Sequence, residues 1–453
     1  MGAKNDARFL AALFAIGFVG WTLIGAWALH SYRSGRFTRR AAKWIDAGAA
    51  RQARTPALLD PAPVPVPTSL PLVGGDATLP DGYPVAYVDG AAFRSLLFAS
   101  RFDDLNRYFV QLQDAFEADN KREYWTQDAA SAFGSSDAKL APRLDGWVAA
   151  SPDAFAPYLA RGAYWNAVGW KHRGSASSKD TPAQDKAAMR VAHERALEDL
   201  DKALALRPAL VSARVLRLRV LLGLNATREQ LRTEVDAATK TCPGCFRARV
   251  TYLLGTTPRW GGSYADMHAY AATCDPAKNA RCRLLDGFVD YDLADLAWID
   301  HRLADAEADI DRAIALGDCT AFFVERSHIR RARKDSYEGA LADADRALGL
   351  WHNTEALVAR ADALSALKRW EPAGHALLEA IRVDPTDARA AYIASYEIRG
   401  LLFQASTDAK AGRRDDALRA LDLAADLAPT DREVLSQRSQ ILGGVDSPNV
   451  DAK

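Results

Sequence analysis

The chain runs to 453 residues, enough for two or three domains or one long repeat array. Apolar residues make up 49% and charged residues 26%, the balance of a foldable soluble body rather than a disordered or fibrous chain. Lysine plus arginine and aspartate plus glutamate number 58 each, and a zero formal charge argues against nucleic acid as a partner, because phosphate contacts need a basic face.

Five cysteines, an odd number, do not make a disulfide framework for a secreted domain of this size and fit a reduced compartment better. Residues 9–29, FLAALFAIGFVGWTLIGAWAL, carry no charged side chain over 21 positions. That is enough helix to cross a bilayer core about 30 Å thick, so residues 1–29 read as a short tail and a transmembrane helix. A cleaved signal peptide competes, with Ala26-Trp27-Ala28 imitating a small-x-small cleavage site. Arg33, Arg36, Arg39, Arg40 and Lys43 outnumber Lys4 and Arg8 on the other flank. The positive-inside rule therefore puts the body in the cytoplasm, with an exported body as the alternative. Residues 30–55 read as a basic juxtamembrane helix with Phe37, Ala41, Trp44, Ile45 and Gly48 on one face, able to lie on an anionic leaflet.

Residues 56–84 hold eight prolines and read as an extended spacer outside any core. From residue 90 the apolar residues recur at three and four, as in Leu105, Tyr108, Phe109, Leu112 and Phe116, and nothing alternates with period two. The body is expected to be all-α.

An internal repeat organises its C-terminal half. Ala306, Ala340, Ala373 and Ala417 are each followed seven residues on by Ala313, Ala347, Ala380 and Ala424, with steps of 34, 33 and 44 residues. An earlier copy sets Ala196 and Ala203 in the same relation. Alanines seven apart share a helical face and let a neighbouring helix approach closely. Pro208, Pro385 and Pro429 fall five residues beyond the second alanine and end the hairpin. The last copy is longer by ten residues, which read as a lengthened first helix over ARAAYIASYEIRGLLFQASTDAKAG.

This pattern resembles the tetratricopeptide repeat over about 290–442, and less closely over a hairpin near 187–222. The resemblance implies helical hairpins stacked as a right-handed superhelix, an α-solenoid, over 291–445; residues 446–453 are read as a disordered tail. Ahead of it, LLFASRFDDLNRYFVQLQDAF, YLARGAYWNAVGWKHRG and TPRWGGSYADMHAYA are similar to a bacterial domain of unknown function, the family numbered 4034 among such domains. Residues 85–290 are assigned to it. No activity is established for that family, so the resemblance brings a fold expectation only.

The stretch CPGCFRARVTYLLGTTPRWGGSYADM, residues 242–267, is the one that reads most like a site. Pro243 and Gly244 suit a turn between helices, and Ser263 with Asp266 forms an S-x-x-D cap for the next helix. A zinc site would need Cys274 and Cys282 as its second pair, but these stand eight apart, wider than a zinc ribbon uses. No phosphate loop, dinucleotide fingerprint, zinc-protease helix or nucleophile elbow occurs. No catalytic residue, metal or cofactor is assigned.

The sequence thus points to a bacterial inner-membrane, single-pass scaffold that binds a protein or peptide. Repeat register puts Glu325, Arg326, Arg333, Glu355 and Asp362 on the first helices that face the groove. An enzyme, hydrolytic or redox, in 90–290 with the repeats as its docking arm is the alternative.

Overall fold

The computed structural model describes residues 61, 63–174 and 180–443. The apolar stretch 9–29, the basic segment 30–55 and the tail 446–453 lie outside the described residues, so the anchor reading is neither supported nor opposed by the fold. Among the described residues no helix is long and apolar enough to cross a membrane.

Among the described residues, nineteen α-helices follow a two-stranded antiparallel hairpin, β1 (Leu72–Val73) with β2 (Tyr87–Val88). The N-terminal group is α1 (Gly90–Phe98), α2 (Phe102–Ala118), α3 (Glu123–Ser131) and α4 (Leu140–Ala150). Its core is aromatic: Phe93, Phe109, Phe133 and Trp147 are fully buried, and Phe93 meets Phe109, as Phe133 meets Trp147, edge to face. The long pair α5 (Phe155–Arg173) and α6 (Ala183–Leu206) comes next. Ala196 and Ala203 are fully buried there, and a side chain at Gly162 would strike Leu200. The early repeat copy is therefore the pair α5–α6, whose partner precedes the alanine helix, and not a hairpin over 187–222.

The array continues through α7 (Val211–Gly223), α8 (Arg228–Thr241), α9 (Arg247–Leu254) and α10 (Tyr264–Ala271). Four hairpins then carry the alanine pairs in their second helices: α11 (Gly287–Ile299) with α12 (Leu303–Ala315), α13 (Thr320–Arg333) with α14 (Tyr337–Leu350), α15 (Thr354–Ala366) with α16 (Trp370–Val383), and α17 (Ala388–Lys410) with α18 (Arg414–Leu427). α19 (Arg432–Gly443) closes the stack. All eight alanines of the repeat are fully buried. α17 is the lengthened first helix, at 23 residues against 14 in α13 and 13 in α15. Gly400 lies at its middle, where any Cβ would overlap the Trp370 ring.

The turns inside the hairpin α7–α8 and the four alanine hairpins all pass through a left-handed residue: Asn225, His301, Lys334, Lys368 and Gly412. That conformation costs an ordinary residue about 1–2 kcal/mol, which glycine alone avoids. Four different residue types at these five turns hide the regularity from the sequence.

Two expectations about organisation are corrected. The segment 56–84 is not a spacer throughout, since Tyr83 is 2% exposed and Asp81 pairs with Arg281 at 2.6 Å. Nor does a boundary fall at residue 290, because one hydrophobic cluster runs from Phe116 through Phe246 and Phe288 to Ile329. The N-terminal group also reaches across to the later repeats. Trp351 Nε1 donates to Asp128 at 3.0 Å, Tyr87 stacks on His352 at 3.8 Å, and Ser136 bonds Thr386 at 3.1 Å.

Glu397 on α17 is fully buried, with its carboxylate accepting from the Ser365 hydroxyl and one oxygen unpartnered. Burial pushes its pKa up to about 8. The folded state then holds a proton that the unfolded state releases above the model-peptide value of 4.5, so this group's contribution is present at low pH and lost as pH rises toward 8. Glu397→Gln is expected to remove that loss, gaining on the order of a few kcal/mol at pH 9 relative to pH 5 when urea unfolding of the two proteins is compared. Equal pH dependence in both would show that Glu397 ionises in the fold at little cost.

Candidate functional site

The residues of the opening turn are placed first by covalent bonds. Cys242, the residue at the C-terminus of α8, is bonded to Cys245 just before α9, and Cys274 is bonded to Cys282. All four are buried in the apolar cluster. The turn expected at Pro243-Gly244 is present, but the expectation of reduced thiols is overturned. Each bond closes a short loop. Ser263 caps α10 by accepting from Asp266 N at 3.1 Å, while its hydroxyl donates to the Asp266 carboxylate at 2.7 Å. Gly262 is required because a Cβ there would overlap the Thr256 carbonyl. A thiol titration in denaturant is expected to find one free thiol per chain before reduction, Cys319, and five after it. Reduction should lower stability by about 2 kcal/mol per bond. Stoichiometric zinc with five free thiols would contradict the pairing.

A buried carboxylate then fixes the start of α9. Glu123 is 6% exposed and accepts three hydrogen bonds: Tyr83 Oη at 2.7 Å, Phe246 N at 2.9 Å and Arg247 N at 2.9 Å. It satisfies amides at the helix N-terminus that no local side chain caps. Burial raises its pKa, and the three donors oppose that rise. Asn279 ties the same knot from the other side, donating to Tyr83 Oη at 2.7 Å and to the Gly244 carbonyl at 2.6 Å.

With α9 set, the first helices α7, α9, α11, α13 and α15 converge on a cavity of about 400 Å³. Its walls are apolar and aromatic, with Leu218, Leu254 and Phe288 alongside Trp170, Trp260 and Trp351. Trp170 of α5 meets Trp260 edge on at 5.9 Å and lines the cavity. The polar lining is Arg219, Arg247, Arg281, Glu355, Asp318 and the free thiol Cys319. Burial pushes the Cys319 thiol up.

Of the five groove residues read from repeat register, Glu355 lines this cavity and is exposed. Glu325 is 5% exposed with one oxygen unpartnered, and burial raises its pKa to about 7. Arg326 holds Asp343 with both arms and reaches Asp311 at 2.7 Å, tying α12, α13 and α14 together. Arg333 pairs with Glu307 and Asp335. Asp362 accepts from Arg331, Arg389 and Tyr396. Sequence reasoning did not find Arg219, Arg247 or Trp170 as cavity residues. Their signal was position alone, on helices ahead of the recognisable repeats.

Residues 90–231 match the family model described as "Domain of unknown function (DUF4034)". The matched region is thus similar to a DUF4034 domain, and the helical hairpins beyond it carry the alanine pairs that resemble the tetratricopeptide repeat. A comparison with curated proteins finds no match. Among solved structures, the APC/C hetero-tetramer Cut9–Hcn1 aligns at 12% identity and TM-score 0.25, over 78% of this chain and 75% of that one. Yeast Tom70 aligns at 14% identity and TM-score 0.21, over 78% and 93%. The P58(IPK) TPR domain aligns at 16% identity and TM-score 0.16, over 76% and 99%. All three superpose loosely. The DUF4034 match ends in α8, so the cavity draws Arg219 and Trp170 from the matched region and Arg247, Trp260 and Glu355 from beyond it.

Proposed function

We propose that this DUF4034 and repeat protein is a membrane-anchored scaffold that holds a protein partner along its inner face. One observation carries the reading. The first helices of successive hairpins converge on an open cavity of about 400 Å³ whose polar groups are only partly used within the fold. Stacked helical hairpins present such inner faces to peptides and helices. The apolar segment 9–29 supplies the anchor.

The two disulfides support an orientation opposite to the one the flanking charges suggest. Such bonds persist in oxidising compartments and are rare in the cytosol, which favours a body on the periplasmic side. Alkaline phosphatase joined after Lys453 is then expected to be active. An enzymatic reading has a thiol in the cavity, Cys319, but burial holds it away from the thiolate form.

Affinity capture of the full chain from membranes tests the scaffold reading. Glu355→Arg is expected to reduce recovery of the bound partner about tenfold, while Glu194→Arg, on an exposed part of α6 outside the cavity, leaves it unchanged. Equal recovery from both variants would sink the reading.

A further inference from the structure

Two guanidinium groups in the cavity lack a carboxylate. Arg219 on α7 lines the cavity, and among the described residues no hydrogen bond or ion pair holds it. Arg247 on α9 lies over the Trp351 ring at 5.0 Å, and its Nε is buried without a partner. The Arg247 charge also acts on Arg219. The Arg219 pKa is lowered first by loss of water and then by the Arg247 charge, with Glu355 opposing. An anion between them would satisfy the free donors and relieve the repulsion together.

The remaining charges limit what that anion can be. Arg281 is held by Asp81, and Asp318 by Arg346, so neither pair has charge to spare. Glu355 has no ion pair and sets one negative charge against the two free arginines. One net positive charge suits a monoanion and not a phosphate dianion. Around it stand flat apolar surfaces: Trp170 and Trp260 at right angles, Trp260 still 38% exposed, with Leu218, Leu222 and Leu254 behind them. A cavity of about 400 Å³ is of the size that encloses a small ligand.

We propose that this cavity binds a small organic monoanion, a carboxylate on a flat aromatic body, with Arg219 and Arg247 taking the head and the Trp170–Trp260 pair taking the ring. The guanidinium fork matches a carboxylate in two parallel bonds, and indole faces take an aromatic ring. The site lies in the same cavity that carries the reading above, but its test reads small-molecule affinity and not partner capture, so the two can fail separately.

Calorimetric titration of 1-naphthoate into the full chain in detergent tests it. Binding is expected with a dissociation constant of about 100 µM or tighter. The neutral 1-naphthamide should bind about tenfold more weakly, since its carbonyl can accept a hydrogen bond but brings no negative charge to pair with the guanidinium groups. Arg219→Met should weaken naphthoate about tenfold with naphthamide unchanged, and Arg219→Lys should fall between. Arg219 makes no structural bond, so both variants should keep the helical signal. Cys319 lines the same cavity, and its alkylation should slow when naphthoate is present. Equal affinity for acid and amide, or no loss in Arg219→Met, overturns the assignment. So does a Phe-ending peptide binding more tightly than the free acid by over about tenfold, which would give the head to a partner chain.

Discussion

Replacing Ala380 with tryptophan is expected to unfold the C-terminal part of the repeat array while leaving the N-terminal group folded. Ala380 is fully buried on α16, in the cluster that contains Leu357, Ala361, Leu377 and Ala417. The alanine is there so that neighbouring helices can approach closely, and no void receives an indole. Overfilling a packed interior costs about 1–3 kcal/mol for extra methylenes, and a whole indole ring exceeds that range. In a repeat array each unit is held chiefly by its neighbours, so loss of one seam releases the units beyond it. Urea unfolding followed by circular dichroism should show an early transition absent from the wild type. Lys410→Trp, at an exposed position of α17, serves as control and should change stability by less than about 0.5 kcal/mol. A single unshifted transition in Ala380→Trp would mean that the alanine seam is not close-packed.

Glu123→Ala is expected to destabilise the body by about 3–5 kcal/mol, as when one member of a buried charged network is removed. Three donors lose their acceptor at once: the Tyr83 hydroxyl and the amides of Phe246 and Arg247. Those amides begin α9, and α9 carries Arg247 into the cavity. The thermal midpoint should therefore fall by several degrees, and naphthoate affinity should fall with it. Glu123→Gln keeps one acceptor oxygen but turns an amide toward a donor, so a smaller loss is expected. If Glu123→Ala melts like the wild type, the β1–β2 segment and α9 are not coupled through this carboxylate.

How far the sequence foretold these features depends on whether each is local. The alanine pairs from Ala306 to Ala424 were legible because helix–helix contact demands small residues every seven positions, and that demand leaves a period. The long α17 was legible as an insertion of ten residues into a pattern of known length. Glu123 was not, because within DNKREYW it looks like any solvated carboxylate. Its partners are Tyr83, forty residues earlier, and the backbone of Phe246, more than a hundred residues later. The fold-back that joins Ser136 to Thr386 spans 250 residues and leaves no local mark. The cysteines misled by their count. An odd total suggested free thiols, whereas four of them pair over spacings of three and eight and one remains. The proline run misled in a similar way, because residues before β1 read as spacer while Tyr83, at its end, is core. Repeat register located first helices correctly but not their use, and Arg326 and Asp362 are largely spent on bonds within the fold.

Site-specific photocrosslinking tests the central claim most directly. A photoreactive amino acid would be placed in the full chain at Leu222 or Glu355, on the cavity wall, and at Val191 or Ile299, which are exposed outside it. If the inner face holds a protein partner, crosslinked protein adducts should form in membranes from the two cavity positions and not from the two outer ones. Adducts from the outer positions alone, or from none of the four, would contradict it.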